Sequence, residues 1–439
     1  MATFCDMTYT WDANKNKTSE SITGVMSGYG FTSAGTTYDN EDRLTGFSRA
    51  ATSGPALLSQ SWSLTAVGDW TSVTTNGTAQ SRAHGPTHEL LTAGGQNVAT
   101  DVKGNITTLP VNLRPAGATT AMNLNWDSDN KLRSADIDAN GTADVNFQYD
   151  ALGRRVARSG TGGSVVFVQM DQQTIADYPV GGAATTPTFR YVYASYIDEP
   201  VVRKGPTSTS TVHFYHRNHQ YSVTAITTST GAVAERYAYT AYGQPTILDA
   251  SGSALSSSAI NNRYTYTGRE WDATLGLHHF RARWMSPVAG RFLTRDPIGY
   301  KGSPYCLYEA FDSRSLQETD PSGMGIRTWI CKSLLRGSLY PCWEFARIFD
   351  EFDSDCQRDR DSDLVGFIDH YAGPPAGAYC GCIGALCPDS SLYKSQYADL
   401  CCILIKVRKA EIRFGEPDSE KSRKSIGLCL KAVIGNIVI

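Results

Sequence analysis

The 439-residue sequence predicts a mainly β protein: a curled antiparallel sheet of hairpins, followed by a small, α-rich, cysteine-rich C-terminal domain. Three observations predict it. Short β-branched and aromatic stretches alternate with turn signals, an aromatic–Asp motif recurs along the first part of the chain, and cysteine usage changes abruptly near residue 325.

The strand signals come first. Stretches at Val165–Val168, Tyr191–Val202, Thr211–Tyr215, Glu235–Tyr242 and Arg263–Thr267 read as β. Turn dipeptides such as Asn76-Gly77, Gly94-Gly95, Asn140-Gly141 and Gly162-Gly163 punctuate them at hairpin spacing. Abundant glycine (40) and tyrosine (23) suit such an architecture. The formal net charge of −3 provides no global basic field, so charge does not indicate a nucleic-acid partner. No run of 18 apolar residues occurs, which argues against a membrane-spanning helix. The first residues lack a basic and then apolar leader, so no signal peptide is read there.

The repeat carries more weight than any single strand. It appears at Trp11-Asp12, Tyr38-Asp39, Thr100-Asp101, Trp126-Asp127 and Tyr149-Asp150, and reads loosely as aromatic–Asp, two residues, Gly or Asn, a polar residue and then an apolar one. Physically it reads as a hairpin. The aromatic packs inward, Asp caps the turn, and Gly or Asn takes the positive-φ position. Stacked copies would form one continuous sheet, each covering its neighbour's edge.

This pattern resembles the YD repeat of Rhs proteins, toxin-complex C subunits and teneurins. The stretch from Arg263-Tyr-Thr-Tyr-Thr-Gly268 through Phe280-Arg-Ala-Arg-Trp284, Gly290-Arg-Phe-Leu-Thr-Arg-Asp-Pro-Ile-Gly299 and Leu307-Tyr308 to Asp320-Pro-Ser-Gly323 is similar to the Rhs repeat-associated core. The resemblance implies a β-sheet shell over 1–260, here partial because the repeats are few, and a core plug over 261–324. It also implies a variable effector domain over 325–439. A repeat beginning at Tyr9 predicts a start inside a longer gene product. Secretion or display at the cell surface is implied by the same resemblance, as is an immunity protein or a target-cell component as partner.

Four constellations are candidates for chemistry. In shell-forming relatives, two Asp-Pro-x-Gly motifs belong to an aspartic site that cuts off the C-terminal segment. Asp296 and Asp320 occupy those positions here. Two close carboxylates cannot both ionise, so one serves as acid while the other activates water. Arg295, next to Asp296, is the residue expected to hold the charged carboxylate. The alternative is that each motif is simply a turn. Second, Asp136, Asp138, Asn140 and Asp144 match the first places of a calcium loop but lack its closing Glu, so Ca²⁺ is the single cofactor suggested and a solvated turn is the alternative. Third, His213, His216 and His219 alternate faces on a strand and make a poor metal set.

The fourth is the tail, which holds nine of the 11 cysteines and balances 15 Lys+Arg against 15 Asp+Glu. Disulfides, a reduced core and zinc are all open there. Helical spacing is visible at Trp343–Phe352 and Leu392–Val407, and His370 comes directly after Asp369. The functional reading is a polymorphic-toxin type of protein whose effector is released by aspartic self-cleavage. Its alternatives are a non-enzymatic adhesion module touching carbohydrate through exposed Tyr and Trp, or a truncated remnant.

Overall fold

Within each sheet the described strands pair antiparallel in sequence order, so each sheet is a meander. The structure is a computed structural model that describes residues 6–24, 27, 30, 31, 33–49, 58–206, 211–303 and 305–325. Among these, 28 strands form sheets of two, seven, fifteen and four strands, each in sequence order. The tail's cysteines, its predicted helices and His370 lie outside the described residues, as does all of the 325–439 domain except Gly325.

One turn geometry generates the sheet. The carboxylates of Asp12, Asp39, Asp101, Asp127 and Asp150 each accept backbone N–H groups two and four residues on, at 2.8–3.0 Å. The third residue after each takes positive φ: Lys15, Asp42, Gly104, Asn130 and Gly153. The residue before the Asp then pairs with the residue six positions on, as in Trp126↔Leu132 and Tyr149↔Arg155, across a bulge that adds twist. Asn218 and Asp249 build the same turn. So do Thr65, with a hydroxyl in place of the carboxylate, and Gly85, with no cap at all.

The aromatic of the motif has a second role at its polar tip. Tyr38 donates to the Lys17 carbonyl (2.6 Å), Trp126 to Ile106 (2.7 Å), Tyr193 to Thr174 (3.0 Å) and Tyr239 to Val223 (2.6 Å). Each acceptor is the first or second residue of the return strand of the preceding hairpin. The ring therefore packs, while its O–H or N–H satisfies a carbonyl that the bulge leaves out of the ladder.

Two expected strands differ. Tyr191–Val202 is a hairpin, Phe189–Tyr193 and Pro200–Lys204, because Asp198-Glu199 and the residues before them turn the chain. Arg263–Thr267 is not a strand: Tyr264 makes an isolated bridge to Glu270, and Thr267 and Gly268 take positive φ.

The residues from Tyr264 onward fill the inside of the curl. Strands Leu277–Phe280 and Arg283–Ser286 are buried at every position, as both faces of their sheet are covered. Leu275, Leu277, Trp284, Ala289 and Leu293 pack in one cluster with Leu109, Met122, Leu132, Val145 and Phe147 of the large sheet. Burying charged residues at this seam requires partners. Arg158 meets Asp272 at 2.7 Å, Arg269 meets Asp198 at 2.6 Å, and Arg155 pairs with Glu270. His278 and His279 pack on Trp271 and Trp284, with ring centroids 4.7 and 4.9 Å apart.

Candidate active site

A tight hairpin places Arg283 at the centre of the site. Phe280 pairs with Arg283 across a two-residue link in which Arg281 takes positive φ, and the return strand delivers the Arg283 guanidinium into the interior. It lies over the Phe292 ring, 3.6 Å from the centroid. One Nη donates to the Leu307 carbonyl at 3.2 Å, and Nε donates to the Gly323 carbonyl. The other Nη reaches Asp296 Oδ2 at 2.9 Å and Asp320 Oδ2 at 3.5 Å. These carboxylate side chains are 2% and 1% exposed.

Each Asp-Pro-x-Gly motif is also a turn. Asp296 Oδ1 accepts the Ile298 N–H at 2.9 Å, and Gly299 takes positive φ. Asp320 Oδ1 accepts the N–H groups of Gly323 (2.9 Å) and Met324 (3.2 Å), while Oδ2 accepts that of Gly325 (2.9 Å). The turn and the carboxylate pair are thus not competing readings, since the turns are what aim the two carboxylates at one cation. Burial pushes the Asp296 carboxyl up; Arg283 and the Ile298 N–H oppose this, Asp320 reinforces it, and the result is about 6. Burial also holds the Arg283 guanidinium below its ordinary value, against the pull of both carboxylates.

Arg295 is not part of this cluster. It pairs with Glu89 and donates to the Tyr308 hydroxyl at 3.2 Å. Adjacent side chains of a non-helical segment point apart, so being next to Asp296 in sequence carries Arg295 away from it. Arg283 holds the position expected for Arg295. Sequence reasoning passed over it, although the two arginines set among aromatics in Phe280-Arg-Ala-Arg-Trp284 were the available signal.

Two other clusters bring metal-type side chains together. Carboxylate oxygens of Asp136, Asp138 and Asp144 lie within 4.8 Å of one another. They accept hydrogen bonds chiefly from their own loop: the Asn140 and Gly141 N–H groups on Asp136, the Ile137 N–H on Asp144, and the Asn140 N–H and side-chain amide on Asp138. Asn140 turns its Oδ1 to the Thr142 N–H at 2.8 Å. Asp69, His88 and Cys306 form a second group, with Asp69 Oδ2 2.6 Å from His88 Nδ1. Here Arg291 already supplies the cation, 3.0 Å from Asp69 Oδ1 and 3.5 Å from Cys306 Sγ. Burial pushes the Cys306 thiol up to about 11, against the pull of Arg291. His213 faces Arg203 inside the sheet, and His216 meets Thr227 at 2.9 Å.

No family model matches the chain. Curated relatives do. It is 28% identical over 172 residues to a tRNA(Glu)-specific nuclease WapA of Bacillus subtilis subsp. natto, covering 39% of this chain and 7% of that one. It is 23% identical over 224 residues to double-stranded DNA deaminase toxin A of Burkholderia cenocepacia (46% and 15%), and 40% identical over 65 residues to toxin subunit YenC2 of Yersinia entomophaga (15% and 6%). Among solved structures, a Photorhabdus luminescens Tc holotoxin pore containing TccC3 superposes with a TM-score of 0.56 at 17% identity, over 73% of this chain and 17% of that one. The chain belongs to the Rhs/YD-repeat family. The YD-repeat hairpins and their Rhs-type filling therefore account for the described residues, which span less than a fifth of the length of these curated relatives. No helix among the described residues of this Rhs chain is long and apolar enough to cross a membrane.

Proposed function

We propose that this chain is the core-bearing portion of a secreted polymorphic toxin, and that it cuts itself at the Met324–Gly325 bond to release the segment beginning at Gly325. The observation that carries this reading is the buried Arg283 bridging Asp296 and Asp320 beside that peptide. Two neighbouring bonds compete for the role. The Gly323 carbonyl is occupied by Arg283 Nε, which leaves the Gly323–Met324 bond turned to the guanidinium. The Gly325 N–H instead lies 2.9 Å from Asp320 Oδ2, and the Met324 carbonyl and Asp296 Oδ2 converge on the same point beside Gly302.

In this reading Asp296 is the acid and Asp320 the base. Asp296, with its carboxyl near 6, keeps its proton and donates to the Met324 carbonyl oxygen. The Asp320 carboxylate takes a proton from water as that water attacks the Met324 carbonyl carbon. The C–N bond then breaks as Asp320 passes this proton to the Gly325 nitrogen and the Met324 oxygen that Asp296 protonated returns its proton to Asp296. One water is consumed, and the products are a Met324 carboxyl group and a Gly325 amine. The released segment would then need an immunity protein in the producing cell and a target in another. The carbohydrate-binding alternative has less support, because among the described tyrosines and tryptophans only Trp11, Tyr300 and Tyr305 are exposed, while Tyr191, Tyr215, Tyr237 and Tyr264 are buried.

Intact mass tests the reading. Wild type is expected to give two fragments, ending at Met324 and beginning at Gly325, whose masses sum to the 47.7 kDa chain plus one water. Asp296→Asn and Asp320→Asn should each stay whole. A wild-type chain that stays whole after folding would overturn the proposal.

The pH dependence has a definite sign. Cutting requires protonated Asp296, so its rate should fall as pH rises through about 6, approaching tenfold per unit above it. Refolding denatured precursor at a series of pH values and quenching on a mass spectrometer would measure this. A flat profile from about pH 5 to 8 would remove Asp296 from the role of acid.

A further inference from the structure

We propose that the Lys17 amine and the Asn218 side-chain amide join in an isopeptide bond, with Glu20 as the catalytic carboxyl and ammonia as the other product. The bond welds the first hairpin to a turn late in the large sheet. It is independent of the cut at Met324–Gly325.

Lys17 opens the strand Lys17–Ile22, and Glu20 is three residues on. In a regular strand an odd spacing sends two side chains to opposite faces. Here Thr10 pairs with Ser19 and Trp11 with Lys17, so Thr18 is bulged out of register. The bulge returns Lys17 and Glu20 to one face, where Nζ meets Oε2. The two side chains are 1% and 8% exposed. Nζ also lies 4.6 Å from the Tyr9 ring centroid, 5.0 Å from that of Phe31 and 3.4 Å from His219 Nδ1. Burial pulls the Lys17 amine below its ordinary value, against the opposing charge of Glu20. A lysine desolvated among apolar rings can shed its proton and act as a nucleophile.

Asn218 comes from the turn between strands Val212–Arg217 and Val223–Thr228. The comparable turns at Asp12, Asp39, Asp101, Asp127, Asp150 and Asp249 are capped by a carboxylate, and this one by an amide. Asn218 Nδ2 donates to Glu20 Oε2 at 3.3 Å, the same oxygen that Lys17 Nζ meets. Asn218 Oδ1 accepts the N–H groups of Gln220 (3.0 Å) and Ser222 (3.1 Å). Those two donors polarise the amide carbonyl and hold the negative charge that forms on Oδ1 when its carbon is attacked. The nucleophile and the leaving nitrogen thus share one carboxylate.

The step balances. Lys17 gives one proton to Glu20, and its free amine attacks Asn218 Cγ. The Nζ–Cγ bond forms. The Cγ–Nδ2 bond breaks as Glu20 passes its proton to Nδ2, which leaves as ammonia, and Glu20 takes a second proton from Nζ. No other reactant is consumed.

The test is a peptide map of the folded full chain. A branched peptide joining Lys17 to Asn218 is expected, lighter than its two parts by about 17 Da, the mass of one ammonia. Trypsin should no longer cut after Lys17. The loss stays on the piece that ends at Met324, so it is read apart from the water taken up by the cut. Glu20→Gln keeps both reactants but removes the proton carrier, so linkage should slow by about 100-fold or more. Asn218→Ala should remove it outright. Unlinked Lys17 and Asn218 peptides from folded wild type would overturn the proposal. So would an ammonia loss that maps only to Asn76-Gly77 or Asn140-Gly141, as a backbone succinimide. Linkage at the wild-type rate in Glu20→Gln would overturn the role of Glu20. The wild-type map decides the bond even if neither variant folds.

Discussion

Replacing Arg283 with methionine is expected to abolish cutting and to destabilise the described body by about 3–5 kcal/mol at neutral pH, the usual cost of leaving buried charges without their partner. Asp296 and Asp320 both direct Oδ2 at the same guanidinium nitrogen, so without it the Asp296 carboxyl, already raised by burial, loses the charge that opposes that rise. The variant also loses the donors on the Leu307 and Gly323 carbonyls and the contact with Phe292. Methionine refills part of the volume, which keeps the effect electrostatic. Thermal melts at about pH 5 and pH 8 would separate the terms. The variant should regain stability at the lower pH, where the Asp296 carboxyl protonates, and lose it at the higher one. Melting and cutting like wild type would show that Arg283 does not hold the pair.

The second large effect is expected at Glu270, deep in the seam between the filling and the sheet. It pairs with Arg155 and, at 3.0 Å, with Arg263, which also pairs with Asp177. Burial alone would raise the Glu270 carboxyl; Arg155, Arg263 and Arg269 outweigh it and hold it at about 2, against an ordinary 4.5. The folded-state value is lowered, so the stabilisation is present above 4.5 and is lost as pH falls towards 2. That difference corresponds to about 3 kcal/mol. Glu270→Gln should therefore destabilise by roughly this amount at neutral pH. The gap between variant and wild type should close on acidification to about pH 2.5. Two melting curves that stay parallel across this range would exclude the network as a source of stability.

The hairpins were legible because their turns are written in short-range chemistry. An Asp that accepts two nearby N–H groups leaves a fixed spacing, and Asp127 or Asp150 can be read from the sequence alone. Thr65 and Gly85 form the same turn with a weaker cap or none, so that part of the chain resembled the repeat least. The link from each aromatic tip to the previous hairpin was not legible. It depends on the bulge, which sequence spacing does not display. The aspartate pair was legible from two copies of one motif, and its cation was not. Arg283 comes from another strand, and the sequence offered Arg295 as a nearer choice.

The meander has a consequence for the order in which the molecule is made. Within each sheet every strand bonds to the one before it, so a chain emerging from the ribosome can add those strands in sequence without waiting for a distant partner. The filling cannot proceed that way. Arg291 reaches back to Asp69, Tyr308 to Gly104, and Gln317 to the Lys17 N–H in the first hairpin. Asp320 completes the carboxylate pair and is translated after all of these. Autoproteolysis built on that pair would be a timer that starts only when the enclosure has been finished.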